Sequence, residues 1–158
     1  MLACNHVSSL DPWPLGLRLW PHRFLRFMAK SELFWPGLGQ FIAAAGAFKV
    51  HRGRSDQEAI ATAVRLAQEG HVIAMFPEGT RRKKGLRKKF QPQAHTGAAR
   101  IAHEAGVPLV PAGIKGTDGL RRVERWRVRY GAPVEVSDDL GETTARLMIA
   151  IHGLEETL

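Results

Sequence analysis

"GAFKVHRGRSDQEAIATAVRLAQEGHVIAMFPEGTR", residues 46–81, reads as strand, helix, strand. "GAFKVHR", 46–52, predicts the first strand. Ser55 and Glu58 then form a capping box, and Ile60, Ala63, Val64 and Ala67 recur at helical spacing. Gly70 stands where a C-terminal cap belongs. "HVIAMF", 71–76, is a short apolar run ended by Pro77, the pattern of a buried strand. Strands alternating with helices imply crossover units, so the expected class is α/β. The expected architecture is one domain with a mostly parallel or mixed sheet covered by helices.

The pattern continues downstream. "TGAARIAHEAG" predicts a helix that ends at Gly106, and "VPLVPAGI" a strand. Pro108 and Pro111 argue for that strand's start, a bulge or an edge. In "ERWRVRYGAPVEV", 124–136, Trp126, Val128 and Tyr130 face one way and Arg125, Arg127 and Arg129 the other. Residues 142–158 are helical in pattern. No repeat and no Gly/Ser linker divides the chain. Upstream, "LFWPGLGQFIAAAGAF", 33–48, is the longest stretch of low charge. A spanning helix needs about 20 apolar residues, and Pro36 and three glycines interrupt this one, so it is expected in a core or an interface.

Composition bounds the function. The chain has 158 residues, 44% hydrophobic and 24% charged, as a folded domain does. Lys and Arg number 23 against 15 acidic residues, a net charge of +8. The pI is near 10.4, which suggests an anionic partner such as nucleic acid, a phosphorylated ligand or a membrane face. One cysteine, Cys4, excludes an intramolecular disulfide and fits a reducing compartment. The first residues lack a charged segment followed by an apolar one, so no secretory leader is expected.

Ligands of α/β sheets gather where strands end at their carboxyl side. "FPEGTR", 76–81, follows such an end. There Gly79 relaxes the backbone, Thr80 offers a hydroxyl, and Arg81 a planar fork suited to phosphate, which Glu78 could orient. Arg52, ending the neighbouring predicted strand, is a second phosphate candidate. A strand-ending turn with solvated arginines is the competing account. "RRKKGLRKK", 81–89, holds seven bases among nine residues and no aromatic, which weakens a single-strand nucleic-acid role.

Near the start, "CNHVSSLDPWP", 4–14, sets His6 five residues before Asp11. On a regular helix the two would point roughly 140° apart, so a meeting requires a turn. A carboxylate on one imidazole nitrogen would leave the other as a base. Alternatively Asp11 caps a helix begun by Pro12. No His-Glu-x-x-His, Cys/His cluster, Gly-x-Ser-x-Gly elbow or phosphate-binding Gly-x-x-x-x-Gly-Lys loop occurs, so no metal, covalent serine or nucleotidase chemistry is expected.

Taken together, "NHVSSLD", "GAFKVHR", "FPEGTR" and "GVPLVPAGI" resemble, in order, the four blocks of the glycerolipid acyltransferases, the family of 1-acylglycerol-3-phosphate acyltransferase. "AKSELFWPGLGQF", 29–41, is similar to the stretch between the first two. The resemblance implies a glycerol-3-phosphate acyltransferase-like fold. It implies transfer of an acyl group from acyl-CoA or acyl-carrier protein to a lysophospholipid hydroxyl, without an acyl-enzyme. The acceptor would be 1-acylglycerol 3-phosphate and the product phosphatidic acid. By this resemblance His6 is the general base and Asp11 orients it. Arg81 and Arg52 grip the phosphate, Glu78, Gly79 and Thr80 shape that site, and Lys30 is a further phosphate candidate. The thioester is a co-substrate, and no other cofactor is implied.

Two departures stand out. Family members usually carry a strand and further segments before the first block, whereas only "MLAC" precedes it here. The domain, 1–158, is therefore expected to lack that strand. "QPQAHTGAAR" replaces a segment in which many members show a lysine shortly before the glycine, which bears on the acceptor. Long-chain substrates imply a peripheral protein at an anionic membrane surface, on the cytoplasmic face. "LGLRLWPHRFLRFMAK", 15–30, mixes aromatics, leucines and four bases as an interfacial segment would, or forms a core-facing helix and a loop broken by Pro21. The competing functions are acyl transfer to glycerol 3-phosphate or another lysolipid, and a catalytically silent domain that binds anionic membrane. Nucleic acid is not expected.

Overall fold

The structure is a computed structural model and describes residues 1–50, 56–79, 94–118 and 125–158. Its first half holds β1 (Leu2–Cys4), α1 (Pro12–Leu19), β2 (Leu25–Lys30), a 3-10 turn (Ser31–Leu33), α2 (Leu38–Ala44) and β3 (Ala47–Val50). Then come α3 (Asp56–Gln68), β4 (Val72–Met75), α4 (Gly97–Ala105), β5 (Val110–Lys115), β6 (Arg127–Tyr130) and α5 (Leu140–Glu156). The six strands form one sheet in the order β3-β2-β4-β1-β5-β6. Every pairing is parallel except that of β5 with β6. The sheet is mixed, and the carboxyl ends of β1 to β5 share one edge.

The expected strand–helix–strand unit is present as β3, α3 and β4. Ala63, Leu66 and Ala67 of α3 are buried, on the stripe that the periodicity marked. Gly70 closes the helix at φ +89°, and Gly106 closes α4 in the left-handed region. Ser55, the expected cap residue, lies outside the described residues.

Downstream, β5 is an interior strand, so of the readings of its prolines the strand's start holds and the edge does not. Pro108 precedes the strand and Pro111 is its second residue. Val110 N–H donates to the Met1 carbonyl and Ile114 N–H to the Asn5 side chain. By the period of two, the Pro111 nitrogen faces the β6 side, beyond the last ladder pair, Ala112 with Tyr130. There the Pro111 carbonyl accepts the Gly131 N–H at 2.9 Å, and the return bond that proline cannot donate is missing only where the pairing ends. The alternation expected over 124–136 holds for the four residues of β6. The chain leaves the ladder at Gly131 and returns only as a bridge from Val134 to Leu109.

Upstream of residue 46 the structure adds four elements. A strand does precede the histidine block: β1 is only three residues long, fully buried, and pairs with both β4 and β5. The segment 15–30 is half helix and half interior strand. β2 lies between β3 and β4, and its residues carry no clean alternation to announce it. The low-charge stretch 33–48 divides. Ala47 and Phe48 are core, while Leu33, Trp35 and Phe41 are exposed. Gly46 allows the turn into β3, because a Cβ there would lie 2.1 Å from the Leu25 carbonyl oxygen.

Among the described residues, the two sheet faces are covered unequally. On one, Ala63 and Leu66 of α3, Ile101 of α4, and Leu147 and Ile151 of α5 pack with Ala3, Phe48 and Ile73. On the other, Leu15 of α1 packs with Leu2, Cys4, Leu25, Ala74, Ala112 and Ile114.

Candidate active site

β1 ends in a side-chain clamp. Asn5, fully buried, donates from Nδ2 to the Ile114 carbonyl at 2.9 Å and accepts the Ile114 N–H at Oδ1 at 2.8 Å. A primary amide has the donor and acceptor of a peptide unit, so Asn5 extends the β1–β5 pairing with its side chain. The backbone is thereby released from the sheet at His6 while its register on β5 is kept.

A tight turn follows. Asp11 N–H donates to the Ser8 carbonyl and Leu10 N–H to Ser8 Oγ, and Pro12 opens α1. Asp11 holds the N-cap position of α1, yet its side chain caps nothing in that helix. It turns back instead. Its Oδ2 accepts His6 Nδ1–H at 2.7 Å, Val7 N–H at 2.8 Å and Ser8 N–H at 2.9 Å. Its Oδ1 accepts the Thr117 hydroxyl at 2.5 Å. Asp11 is fully buried, and four donors on one carboxyl suit its charged, acceptor-only form. That form requires His6 to donate from Nδ1, which leaves Nε2 as the basic nitrogen. The His6 side chain is 17% exposed.

The loop after β4 forms the next wall. Phe76 stacks on the His6 imidazole, with ring centres 4.2 Å apart and planes 18° apart. Glu78 is buried, and Gly79 takes φ +68°. A Cβ at Gly79 would come within 2.7 Å of the His95 ring, and His95 N–H donates to the Pro77 carbonyl. The turn therefore needs glycine both for its conformation and for its space. Lys30 lies at the carboxyl end of β2, exposed, on this same edge of the sheet.

The structure thus brings His6 and Asp11 into contact and sets Lys30, Glu78 and Gly79 on the same sheet edge. Arg52, Thr80, Arg81 and the basic run 81–89 lie outside the described residues. Asn5 and Phe76 stand inside the quoted motifs, but nothing in the sequence assigned them a contact. Thr117 lies 106 positions from Asp11 and gave no signal.

Cys4 adjoins the site but is not a nucleophile. Burial, and then the nearby charges of Asp11 and Glu78, push its thiol well above the usual range. Among the described residues, no group of three His, Cys, Asp or Glu side chains could hold a metal.

The comparisons agree with one another. A family model described as Acyltransferase matches residues 1–115. The chain is 31% identical over 144 residues to the 1-acyl-sn-glycerol-3-phosphate acyltransferase of Bacillus subtilis, covering 87% of this chain and 68% of that protein. It is 31% identical over 143 residues to the enzyme of the same name from Streptococcus pneumoniae, covering 87% of this chain and 51% of the relative. Among solved structures, the 1-acyl-sn-glycerophosphate acyltransferase PlsC of Thermotoga maritima superposes with a TM-score of 0.67 at 27% identity. That match covers 99% of this chain and 65% of the other. The chain thus spans between half and about two thirds of these relatives' lengths.

Proposed function

Because the chain belongs to the acyltransferase family, we propose that it moves a fatty acyl group from a thioester to the free hydroxyl of 1-acylglycerol 3-phosphate, giving phosphatidic acid. The observation that carries the mechanism is the 2.7 Å contact of His6 Nδ1 with Asp11. With Nδ1 committed, His6 Nε2 takes the acceptor's hydroxyl proton. The oxygen attacks the thioester carbonyl, the tetrahedral intermediate collapses, the C–S bond breaks, and the departing thiolate takes the proton from His6. An alcohol attacks poorly without such a base, and general base catalysis contributes roughly 10²- to 10⁴-fold.

Arg81 and Arg52 bind the acceptor's phosphate in this reading, with Lys30 near it. Glu78, Gly79 and Thr80 shape the same site. The donor is acyl-CoA or acyl-carrier protein, and no further cofactor takes part.

The protein works as a peripheral protein on an anionic membrane surface, at the cytoplasmic face. Among the described residues no helix is long and apolar enough to cross a membrane. What supports docking is a ridge of exposed apolar side chains. Leu17 of α1 and Trp20, just past its end, are exposed beside the partly buried Trp13, whose ring lies 5.7 Å from exposed Phe41 of α2. Leu17 is 65% exposed, Trp20 64%, Phe41 59% and Trp35 58%. Arg18, Arg23 and Lys30, all exposed, supply the charge an anionic surface attracts.

The test is thiol release from acyl-CoA with 1-acylglycerol 3-phosphate as acceptor. The unmodified protein turns over, His6→Ala loses about 10²- to 10⁴-fold in kcat/KM while staying folded, and Arg81→Ala raises the KM for the acceptor. Near-normal turnover by His6→Ala removes the mechanism. A preference for glycerol 3-phosphate in an acceptor competition would change the substrate.

A further inference from the structure

We propose that Thr117 is a positioning residue for acyl transfer: its hydroxyl fixes the carboxylate of Asp11, and through it the orientation of His6. This rests on reading His6 as the base. Thr117 lies two residues beyond β5, in the turn opened by Gly116 at φ +89°. It is fully buried, and its hydroxyl donates to Asp11 Oδ1 at 2.5 Å. The three other donors, His6 Nδ1 and the Val7 and Ser8 amides, all converge on Oδ2. Thr117 is therefore the described donor that tells one oxygen of Asp11 from the other.

The geometry explains why that matters. Three donors from the 6–8 turn fix the position of Oδ2 and leave the tilt of the carboxyl plane around it unset. A change of tilt alters the angle at which His6 Nδ1 meets that oxygen, and a hydrogen bond weakens as its angle departs from linear. A second bond at Oδ1, from the turn that follows the neighbouring strand β5, sets that tilt. The tether can be accurate because Asn5 locks β1 to β5 through both bonds to Ile114, three residues before Thr117. The turn bearing Asp11 and the turn bearing Thr117 both begin at that clamp. The hydroxyl thus acts on the base without touching substrate, by keeping the proton on Nδ1 and Nε2 open.

Two variants and two measurements test this. Thr117→Val keeps the shape and removes the hydroxyl; Thr117→Ser keeps the hydroxyl. Circular dichroism first establishes that both are folded. In acyl-CoA thiol release with 1-acylglycerol 3-phosphate, Thr117→Val lowers kcat roughly 10- to 100-fold, the rate equivalent of one hydrogen bond to a charged group. The KM for both substrates stays put, and Thr117→Ser stays within about threefold of the unmodified protein, as expected when the charged bond is kept.

The second measurement needs no turnover. Nitrogen-15 NMR of histidine-labelled protein, with His6 assigned by its loss in His6→Ala, reads which ring nitrogen holds the proton. The unmodified protein and Thr117→Ser show it on Nδ1, and Thr117→Val shows a mixture. Unchanged His6 signals in Thr117→Val overturn the proposal, as does unchanged kcat. If the unmodified protein transfers no acyl group, the functional reading fails instead, and the nitrogen signals alone decide whether Thr117 governs the His6–Asp11 pair.

Discussion

The two faces of the sheet are built for different work. One is closed by α3, α4 and α5 over a core of Ala63, Ile101, Leu147 and Ile151. On the other, α1 places Leu15 over Leu25, Ala74 and Ile114, and turns Leu17 and Trp20 to solvent. The turn that joins His6 to Asp11 leads directly into α1. Among the described residues, the first face carries three helices over its core, and the second carries the helix into which that turn runs.

Substitutions can break or sharpen that contrast. The largest effects on stability belong to the covered face. Ile101→Ala and Leu147→Ala, both fully buried, should each cost about 2–5 kcal/mol in urea unfolding. Leu15→Ala removes an equally buried side chain from beneath α1 and should fall near 2 kcal/mol, the low end of that range, because a two-turn helix with an open outer side settles into the space. A Leu15→Ala cost equal to that of Leu147→Ala would remove the contrast.

High pH should act through the α1 face. Burial raises the Cys4 thiol well above its usual value. Burial, then the Cys4 charge, raises Tyr130 to about 12, while Arg18 opposes the shift. Tyr130 also donates its hydroxyl to the Leu15 carbonyl. Both groups keep their protons longer folded than unfolded, so the stability they contribute is complete below about pH 9, where unfolded thiols begin to ionise, and is lost as pH rises toward 12 and beyond. Urea midpoints should therefore decline between pH 9 and 11, and Cys4→Ala should flatten the decline. A slope unchanged by that substitution would exclude Cys4 as its source.

The smallest effects on stability belong to the exposed ridge. Trp20→Ala and Trp35→Ala should shift unfolding by no more than about 0.5 kcal/mol. They should nonetheless weaken sedimentation with vesicles containing phosphatidylglycerol. Undiminished vesicle binding in the double variant would take the ridge out of the docking surface.

Much of this was legible beforehand, and for a physical reason in each case. The β3–α3–β4 unit showed itself because a helix with one buried stripe and a short apolar strand leave distinct periods. The first forty-five residues did not. β1 has three residues, too few to show a period, and in β2 only Leu25 and Ala29 are buried, with Arg26 and Lys30 breaking the apolar run. Pro108 and Pro111 left the strand's start, a bulge and an edge open, because a missing N–H is visible in sequence and the side to which the nitrogen points is not.

Local sequence alone determined the alternation of elements, the basic character, and the set of chemical groups near His6 and Asp11. Those depend on side-chain type and on spacings of a few residues. Tertiary structure decided which role Asp11 takes. As a helix cap it would have faced forward along α1; in the fold it faces back to His6. The Asn5 clamp releases the chain from the sheet at that point, and a hydroxyl 106 positions away meets its second oxygen. A contact between distant residues exists only once the strands beneath them are paired, so the partnership of Thr117 with Asp11 belongs to the sheet and not to either motif.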